Sequence, residues 1–346
     1  CPDPDARIRE LAAGTGDPSR RAPFAARLLT GPDGAQSLLL TAHHLAVDEW
    51  SVVPLFRDLT TAYTARAAGG PPAWAPLPVT YTDWTAWAHE VLGDPADPTS
   101  TGARQLAWWR ETLRDVPGRI GLPTGPARAE GPGDPHPFVL DEELHAAVDR
   151  LAHTTGTSMF MVLHAALSAL LTAHGAGTDL PVGTMVAGRH DERLGDLVGC
   201  FLGTVVLRTD TDGDPSFARL LERVRETTLG ALDHQDVPFD EVVRATGLPP
   251  EGPQVMLIHH EQADLAELEG GAGTFHAVPT GGPKAELVLG FYEPRGAGPV
   301  SCELHGPHDA PRLAAEFVAL LRRAVDAPGR PLSELSVTTT PRSDDA

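Results

Sequence analysis

The chain has 346 residues, with 47 acidic against 27 basic side chains and a formal net charge of −20. With 41% hydrophobic and 21% charged residues it holds enough apolar material for a globular core, and the length suits one large or two medium domains. So acidic a chain is excluded as a general binder of nucleic acid or anionic membrane, and no apolar run reaches the ~20 residues that cross a bilayer.

The start, CPDPDARIRE, carries neither an initiator Met nor an apolar secretory stretch, so the chain reads as a piece of a longer cytoplasmic protein. Ser37–Ala42 is a short apolar run after the turn Pro32-Asp33-Gly34 and predicts a buried strand. Val52–Ala68 places Val52, Leu55, Phe56, Leu59, Ala62 and Tyr63 at helical spacing and predicts a helix that stops before Gly69-Gly70-Pro71-Pro72. Between the two lies a tight polar junction, His43 to Ser51. A loop held by a strand on one side and a helix on the other is a rigid mount for chemistry.

Pro/Gly-rich Leu122–Pro137 is the expected domain boundary, with polar Gly93–Thr101 a weaker one. Beyond it Asp141 caps a predicted helix with Leu144, Val148 and Leu151 on its apolar face, ending before Gly156. A second starts at Thr157 or Ser158, carries Phe160, Leu163, Leu167, Leu170 and Leu171, and closes at Gly175. Strands are expected at Leu180–Ala187 and Thr204–Arg208, then a helix with Phe217, Leu220, Leu221 and Val224. Strands near Gln254–His260 and Glu286–Tyr292 and a helix over Asp309–Asp326 complete a mixed α/β pattern. Cys1, Cys200 and Cys302 are too few and too far apart for a disulfide framework or a zinc ribbon. Cys200, in an apolar stretch, is expected to be a small core residue, and the histidines show no metal-ligand spacing.

The junction reads His43-His44-x-x-x-Asp48. Adjacent residues after a strand point to opposite sides, so one imidazole faces a given cavity while the other packs or fixes the loop. Imidazole titrates near neutrality, so the facing ring can take a proton from a nucleophile or hydrogen-bond an oxyanion. Asp48 can fold back or pair with an arginine to hold the loop, and Arg189 and Arg208 are both candidates. The bland alternative is a structural histidine pair beside a solvated carboxylate. The string occurs twice: His259-His260-Glu261-Gln262-Ala263-Asp264 spells the same pattern but leads into the Glu- and Gly-rich stretch Ala266–Gly273 and is read as a decoy.

What separates the copies is company. AHHLAVDEWS, from Ala42 to Ser51, resembles the HHxxxDG-type motif of nonribosomal peptide synthetase condensation domains. Tyr81-Thr82-Asp83-Trp84-Thr85-Ala86-Trp87 is similar to the family's Y-x-D-[FY]-x-x-W motif. Leu197 to Arg208, preceded by Val186-Ala187-Gly188-Arg189, resembles VGxFVNTxxxR. His234-Gln235-Asp236-Val237-Pro238-Phe239-Asp240 resembles HQDxPFE. Four ordered motifs between about Leu38 and Val337 are far more specific than any one of them.

The resemblance implies two chloramphenicol-acetyltransferase-like α/β lobes forming a V-shaped pseudo-dimer, with residues 1–115 as an N-terminal lobe and 116–346 as the C-terminal lobe. It implies amide-bond formation between a donor thioester and an acceptor amine, delivered on phosphopantetheine arms by two carrier proteins, with adjacent synthetase domains as further partners and no directly bound cofactor or metal. By the same resemblance His44 is the tunnel-facing catalytic residue, His43 its neighbour and Asp48 the loop organiser. Trp50, Ser51, Gly203 and Thr204 are expected at the substrate, and Arg189, Arg208, Gln235 and Asp236 as support. Asp83, Trp84 and Trp87 are expected to pack a helix between the lobes, and Pro238 to sit early in one.

Some features depart from the family pattern. The two N-terminal motifs are absent, so the first lobe is expected to be truncated. Gly203 stands where the family has Asn, Glu49 replaces the Gly of HHxxxDG, and no RDxSRNPL-like segment follows Gly247. These admit a second reading, a catalytically inactive module of the same fold that docks carrier proteins or a tailoring enzyme. A third is a stand-alone acyltransferase that uses coenzyme A thioesters.

Overall fold

A computed structural model describes residues 7–8, 10–11, 18–31, 34–122, 135–260, 278, 285–294, 296–306 and 309–336. The chain divides into two compact units, one of Cys1–Glu90, Ala187–Leu202 and Glu261–Gly281, the other of Val91–Val186, Gly203–His260 and Gly282–Ala346. The first unit thus draws its segment Ala187–Leu202 from far along the chain.

In the first unit β1 (Phe24–Thr30) and β2 (Gln36–Ala42) form an antiparallel hairpin, Phe24 opposite Ala42 and Thr30 opposite Gln36. The expected strand is therefore real but belongs to a hairpin, and of its residues Leu39 and Thr41 are buried while Leu38 is exposed. The 3-10 turn Glu49–Ser51 leads into α1 (Val52–Ala67). A second helix, α2 (Tyr81–Leu92), starts in this unit. Leu194, Leu197 and Phe201 form a small apolar cluster with Val79, Tyr81 and Trp84.

The second unit is built on a six-stranded mixed sheet in the order β3-β8-β7-β6-β4-β5: β3 (His136–Leu140), β4 (Asp179–Val186), β5 (Gly203–Asp210), β6 (Val255–His260), β7 (Leu287–Tyr292) and β8 (Val300–His305). β4, β6 and β7 pair in parallel, while β5, β8 and β3 join antiparallel. The chain order also supplies α3 (Thr101–Thr112), α4 (Glu142–Thr155), α5 (Met159–Ala173), α6 (Phe217–Leu232), α7 (Phe239–Thr246), α8 (Ala310–Asp326) and the single turn α9 (Leu332–Leu335).

Local chemistry explains these boundaries. Asp141 accepts from the Leu144 N–H at 3.0 Å and Gly156 ends α4 in the left-handed region at φ +63°, as the spacing predicts. Ser158, not Thr157, caps α5 through Met161 N–H. Helix α5 is buried on nearly all sides, so its unbroken apolar sequence suits the interior of a layered domain. Leu163, Leu167 and Leu171 there join Leu257, Leu289 and Phe291 of the sheet and Phe317 and Leu320 of α8 in one core. Each fully buried side chain of this kind contributes about 1.5–3 kcal/mol.

Strands β1, β3 and β8 and helix α3 go beyond the sequence expectation. β3 begins at His136, inside the stretch read as a boundary. Cys200 is half-buried rather than a core residue. Cys302 is the buried one, and burial pushes its thiol up to about 12, which leaves it inert. Among the described residues no single helix is long and apolar enough to cross a membrane. Residues Glu261–Asp264 of the second histidine string lie outside the described residues.

Candidate functional site

Strand β2 delivers the histidine pair to a turn. His43 N–H donates to Pro23 O at 2.7 Å, and Ala46 N–H donates to His43 O at 2.8 Å, closing the turn over His44 and Leu45. The rings then part. Leu45 N–H donates to His43 Nδ1 at 3.1 Å, so that nitrogen bears no proton and neutral His43 carries its hydrogen on Nε2. His44 Nδ1 lies 3.2 Å from Val47 O, a carbonyl that only accepts, so Nδ1 carries a hydrogen, and in the neutral ring Nε2 holds the lone pair. The His43 ring is half-buried and fixes the turn, and the His44 ring is exposed.

Four residues past His44 the chain is anchored. The Asp48 side chain is 0% exposed. Its Oδ1 accepts from Ser51 N–H at 2.9 Å, Ser51 Oγ at 2.8 Å and Arg189 Nη2 at 2.9 Å, and its Oδ2 accepts from Phe201 N–H at 3.0 Å. Asp48 caps the turn Glu49–Ser51 in a reciprocal capping box. Glu49 opens that turn, where a carboxylate suits the positive end. Arg189, 7% exposed, also donates through Nη1 to Leu194 O and Leu197 O and stacks 4.1 Å over the Phe201 ring. Arg189 is thus the partner of Asp48.

Ser51, expected at the substrate, is fully buried instead. Its oxygen accepts from Gly199 N–H at 3.0 Å and Arg189 Nη2 at 3.1 Å, and its one hydrogen is shared between Asp48 Oδ1 and Gly199 O. That hydroxyl holds the loop and has nothing left for a ligand. Trp50 is half-buried beside it.

The segment 187–202 had to approach this closely, and two glycines let it. A Cβ on Gly199 would stand 2.3 Å from the Tyr81 ring, and one on Gly188, at φ +63°, 2.0 Å from Phe201 O. Tyr81 O–H donates to Cys200 O at 2.7 Å, and burial pushes that phenol above its ordinary value, keeping it a donor. Trp84 packs 4.5 Å from Phe201, whereas Trp87 is 52% exposed and Asp83 accepts from Thr80 at the start of α2.

The other expected site residues lie in the second unit. Gly203 and Thr204 open β5 opposite Val186 and Met185. Arg208 grips Asp179 through two bonds of 2.8 and 2.7 Å and donates Nη1 to Thr112 O and Arg114 O at the end of α3. Gln235 Nε2 donates to Leu232 O at 2.7 Å, and Pro238 sits one residue before α7 as its cap. Asp236 accepts from Gln105 Nε2 at 2.7 Å, and Gln105 Oε1 accepts from Asp236 and Val237 N–H in return. Trp109 Nε1 donates to His234 O at 2.8 Å, and Trp108 stacks on the His234 ring. The His234–Phe239 motif is therefore a link between α6 and α7 clamped by α3. Gln105 and Trp109, its clamps, escaped the sequence reading although the burial stripe Gln105, Leu106 and Trp109 has helical spacing.

The condensation domain family model matches residues 15–264. A probable non-canonical nonribosomal peptide synthetase, CymA, of Salinispora arenicola (strain CNS-205) is 42% identical over 95% of this chain and 4% of its own length. The dimodular nonribosomal peptide synthase of Bacillus subtilis (strain 168) is 40% identical over 96% of this chain and 15% of its own. The chain thus spans a small part of these relatives. Among solved structures, the X-domain in complex with OxyB from teicoplanin biosynthesis is 30% identical with a TM-score of 0.86, covering 97% of this chain and 77% of that one. The first condensation domain of the calcium-dependent antibiotic synthetase shares the fold at 22% identity and a TM-score of 0.71, over 96% and 77%. With the family model matched across most of its length and its histidine turn and buried anchor in place, the chain belongs to the condensation domain family of nonribosomal peptide synthetases.

Proposed function

We propose that this chain joins a carrier-bound acyl thioester to a carrier-bound amine, with His44 as the catalytic residue. The observation that supports this most is the pairing of an exposed His44, its Nε2 lone pair left for a ligand, with a turn locked by Asp48 and Arg189. In the reaction the amine nitrogen attacks the thioester carbonyl, a C–N bond forms, the C–S bond breaks, and the amine proton ends on the departing thiol.

An amino-acid amine titrates near 8, so a useful fraction is neutral and needs little activation. Holding both arms in line is worth about 7–11 kcal/mol, more than proton transfer supplies. The tautomer of His44 decides between its two roles. A neutral ring with hydrogen on Nδ1 accepts at Nε2, which suits the amine N–H and not a developing oxyanion. Once protonated by the amine, Nε2 becomes a donor and can return the proton to sulfur. His44 orients the amine first and carries its proton second.

The test is single-turnover condensation with donor and acceptor loaded on carrier proteins and the product read by mass spectrometry. His44→Ala should lower the rate by about 10²–10³, the lower part of what a positioned proton-transfer group contributes. An unchanged rate ends the assignment.

A second reading has its own support. The X-domain structure at TM-score 0.86 is a complex with OxyB, and Gly203 lacks the side chain the family motif carries. A docking module would give no condensed product with any loaded pair, and its His44→Ala variant would bind a partner enzyme as tightly as the parent does.

A further inference from the structure

The second unit brings together a set of metal-type donors that serves no role in the histidine turn. His145 and Asp149 lie one turn apart on α4, and Glu293 follows β7. One imidazole nitrogen and two carboxylate oxygens all lie within 4.8 Å of one another. The His145 side chain is 5% exposed. Its Nδ1 lies 2.6 Å from Gly298 O and so donates its hydrogen there, which turns the Nε2 lone pair toward Asp149. A ring held by a backbone carbonyl at one nitrogen, with the other aimed at carboxylates, is how metal-binding histidines are oriented.

His145 Nε2 and Asp149 Oδ2 stand 3.3 Å apart. Zinc bonds of about 2.0–2.2 Å in a tetrahedron leave neighbouring donors roughly 3.3–3.5 Å apart, a spacing this pair already has. One imidazole with two carboxylates suits zinc or a similar first-row divalent ion, whereas calcium and magnesium seek more oxygen ligands. His259, stacked on Phe291, stands beside the third donor, its Nε2 3.6 Å from Glu293 Oε2.

We propose that His145, Asp149 and Glu293 bind one zinc-type divalent ion, with water in the fourth position, and that this ion ties the end of β7 to α4. The metal-stripped chain is titrated with zinc against a chromogenic chelator, and with cobalt(II) for its visible ligand-field bands. One equivalent should bind, with four-coordinate cobalt bands and a rise in the thermal midpoint. Asp149→Asn, at an exposed position that does not threaten folding, should weaken binding by more than the roughly 10–100-fold that loss of an outer-shell partner costs, and Glu293→Gln should do the same. Loss of the cobalt bands in both variants supports the site. Zinc binding of unchanged strength in both variants, which would locate the ion at other histidines, or no equivalent bound at all, overturns it.

Discussion

The two histidine pairs of this chain share the letters HH and little else. His43 and His44 lie just past the end of a strand, where a turn sends one ring into the fold and one outward. His259 and His260 lie within β6, and each is flattened on an aromatic ring of β7, Phe291 at 4.6 Å and Tyr292 at 4.6 Å. Each also faces a carboxylate, Glu293 at 3.6 Å and Glu303 at 3.8 Å. A regular strand fixes both rings in the lattice of its neighbours. A turn anchored from a distance frees one of them, and that freedom is what the proposed catalysis requires.

The comparison rests first on the anchor, and the largest expected effect comes from removing it. Arg189→Ala leaves the Asp48 carboxylate buried without its cation. Breaking such a pair from one side costs about 3–5 kcal/mol. Urea unfolding should show a lower midpoint with an unchanged slope, and condensation should fall with it. A loss below about 1 kcal/mol would show that the turn stands without the long-range contact, and the contrast between the pairs would fail.

Next in size is a direct exchange of the two pairs. His44→Ala should cost about 10²–10³ in rate, close to 2.7–4 kcal/mol, while stability moves by no more than about 0.5 kcal/mol because the ring is exposed. His260→Ala should do the reverse, with rate unchanged and about 0.5–1.5 kcal/mol of stability lost with the Tyr292 stack. Equal effects on rate would erase the distinction drawn between turn and strand.

A third environment extends the series. His164, in the middle of α5, is fully buried, with Nε2 3.2 Å from Thr209 Oγ1, and burial lowers its pKa to about 3 from an ordinary 6.5. Above pH 6.5 both folded and unfolded chains hold it neutral. Below 6.5 the unfolded chain takes a proton that the folded chain refuses, so stability falls as pH drops toward 3. The slope reaches at most about 1.4 kcal/mol per pH unit. Denaturant midpoints at pH 7.5 and pH 5 should differ less in His164→Gln than in the parent, and an identical drop in both would remove the histidine as its source.

Much of this was legible along the chain, and the exceptions share a cause. Asp141, Gly156 and the α5 leucines act within a few residues, so capping and periodicity find them. The Asp48–Arg189 bond spans 141 positions, and no spacing rule chooses Arg189 over Arg208 at that separation. Gly188 and Gly199 are needed where the backbone passes close to Phe201 and Tyr81, but a glycine does not name what it approaches. β8 was readable, since Val300, Cys302 and Leu304 alternate with polar residues, but a search for continuous apolar runs passes over a period of two. Ser51 misled for the opposite reason: the resemblance put it at the substrate, and only burial shows its hydroxyl spent on Asp48, Arg189 and Gly199.

The smallest effect belongs to Gly203, which stands where the motif it resembles carries Asn. Replacing it by Asn puts a Cβ 2.9 Å from Val186 Cγ2, on the strand paired with β5. Val186 is buried and β-branched, so relief needs a small backbone shift more than a rotamer change. Against this, glycine inside a strand costs about 0.5–1 kcal/mol in chain entropy that any side chain recovers. The two nearly cancel, and Gly203→Asn should change stability by less than about 1 kcal/mol. If it also raises the condensation rate, Gly203 marks lost activity and the docking reading gains. An unchanged rate, in a parent that makes the condensed product, means that the reaction runs without that side chain.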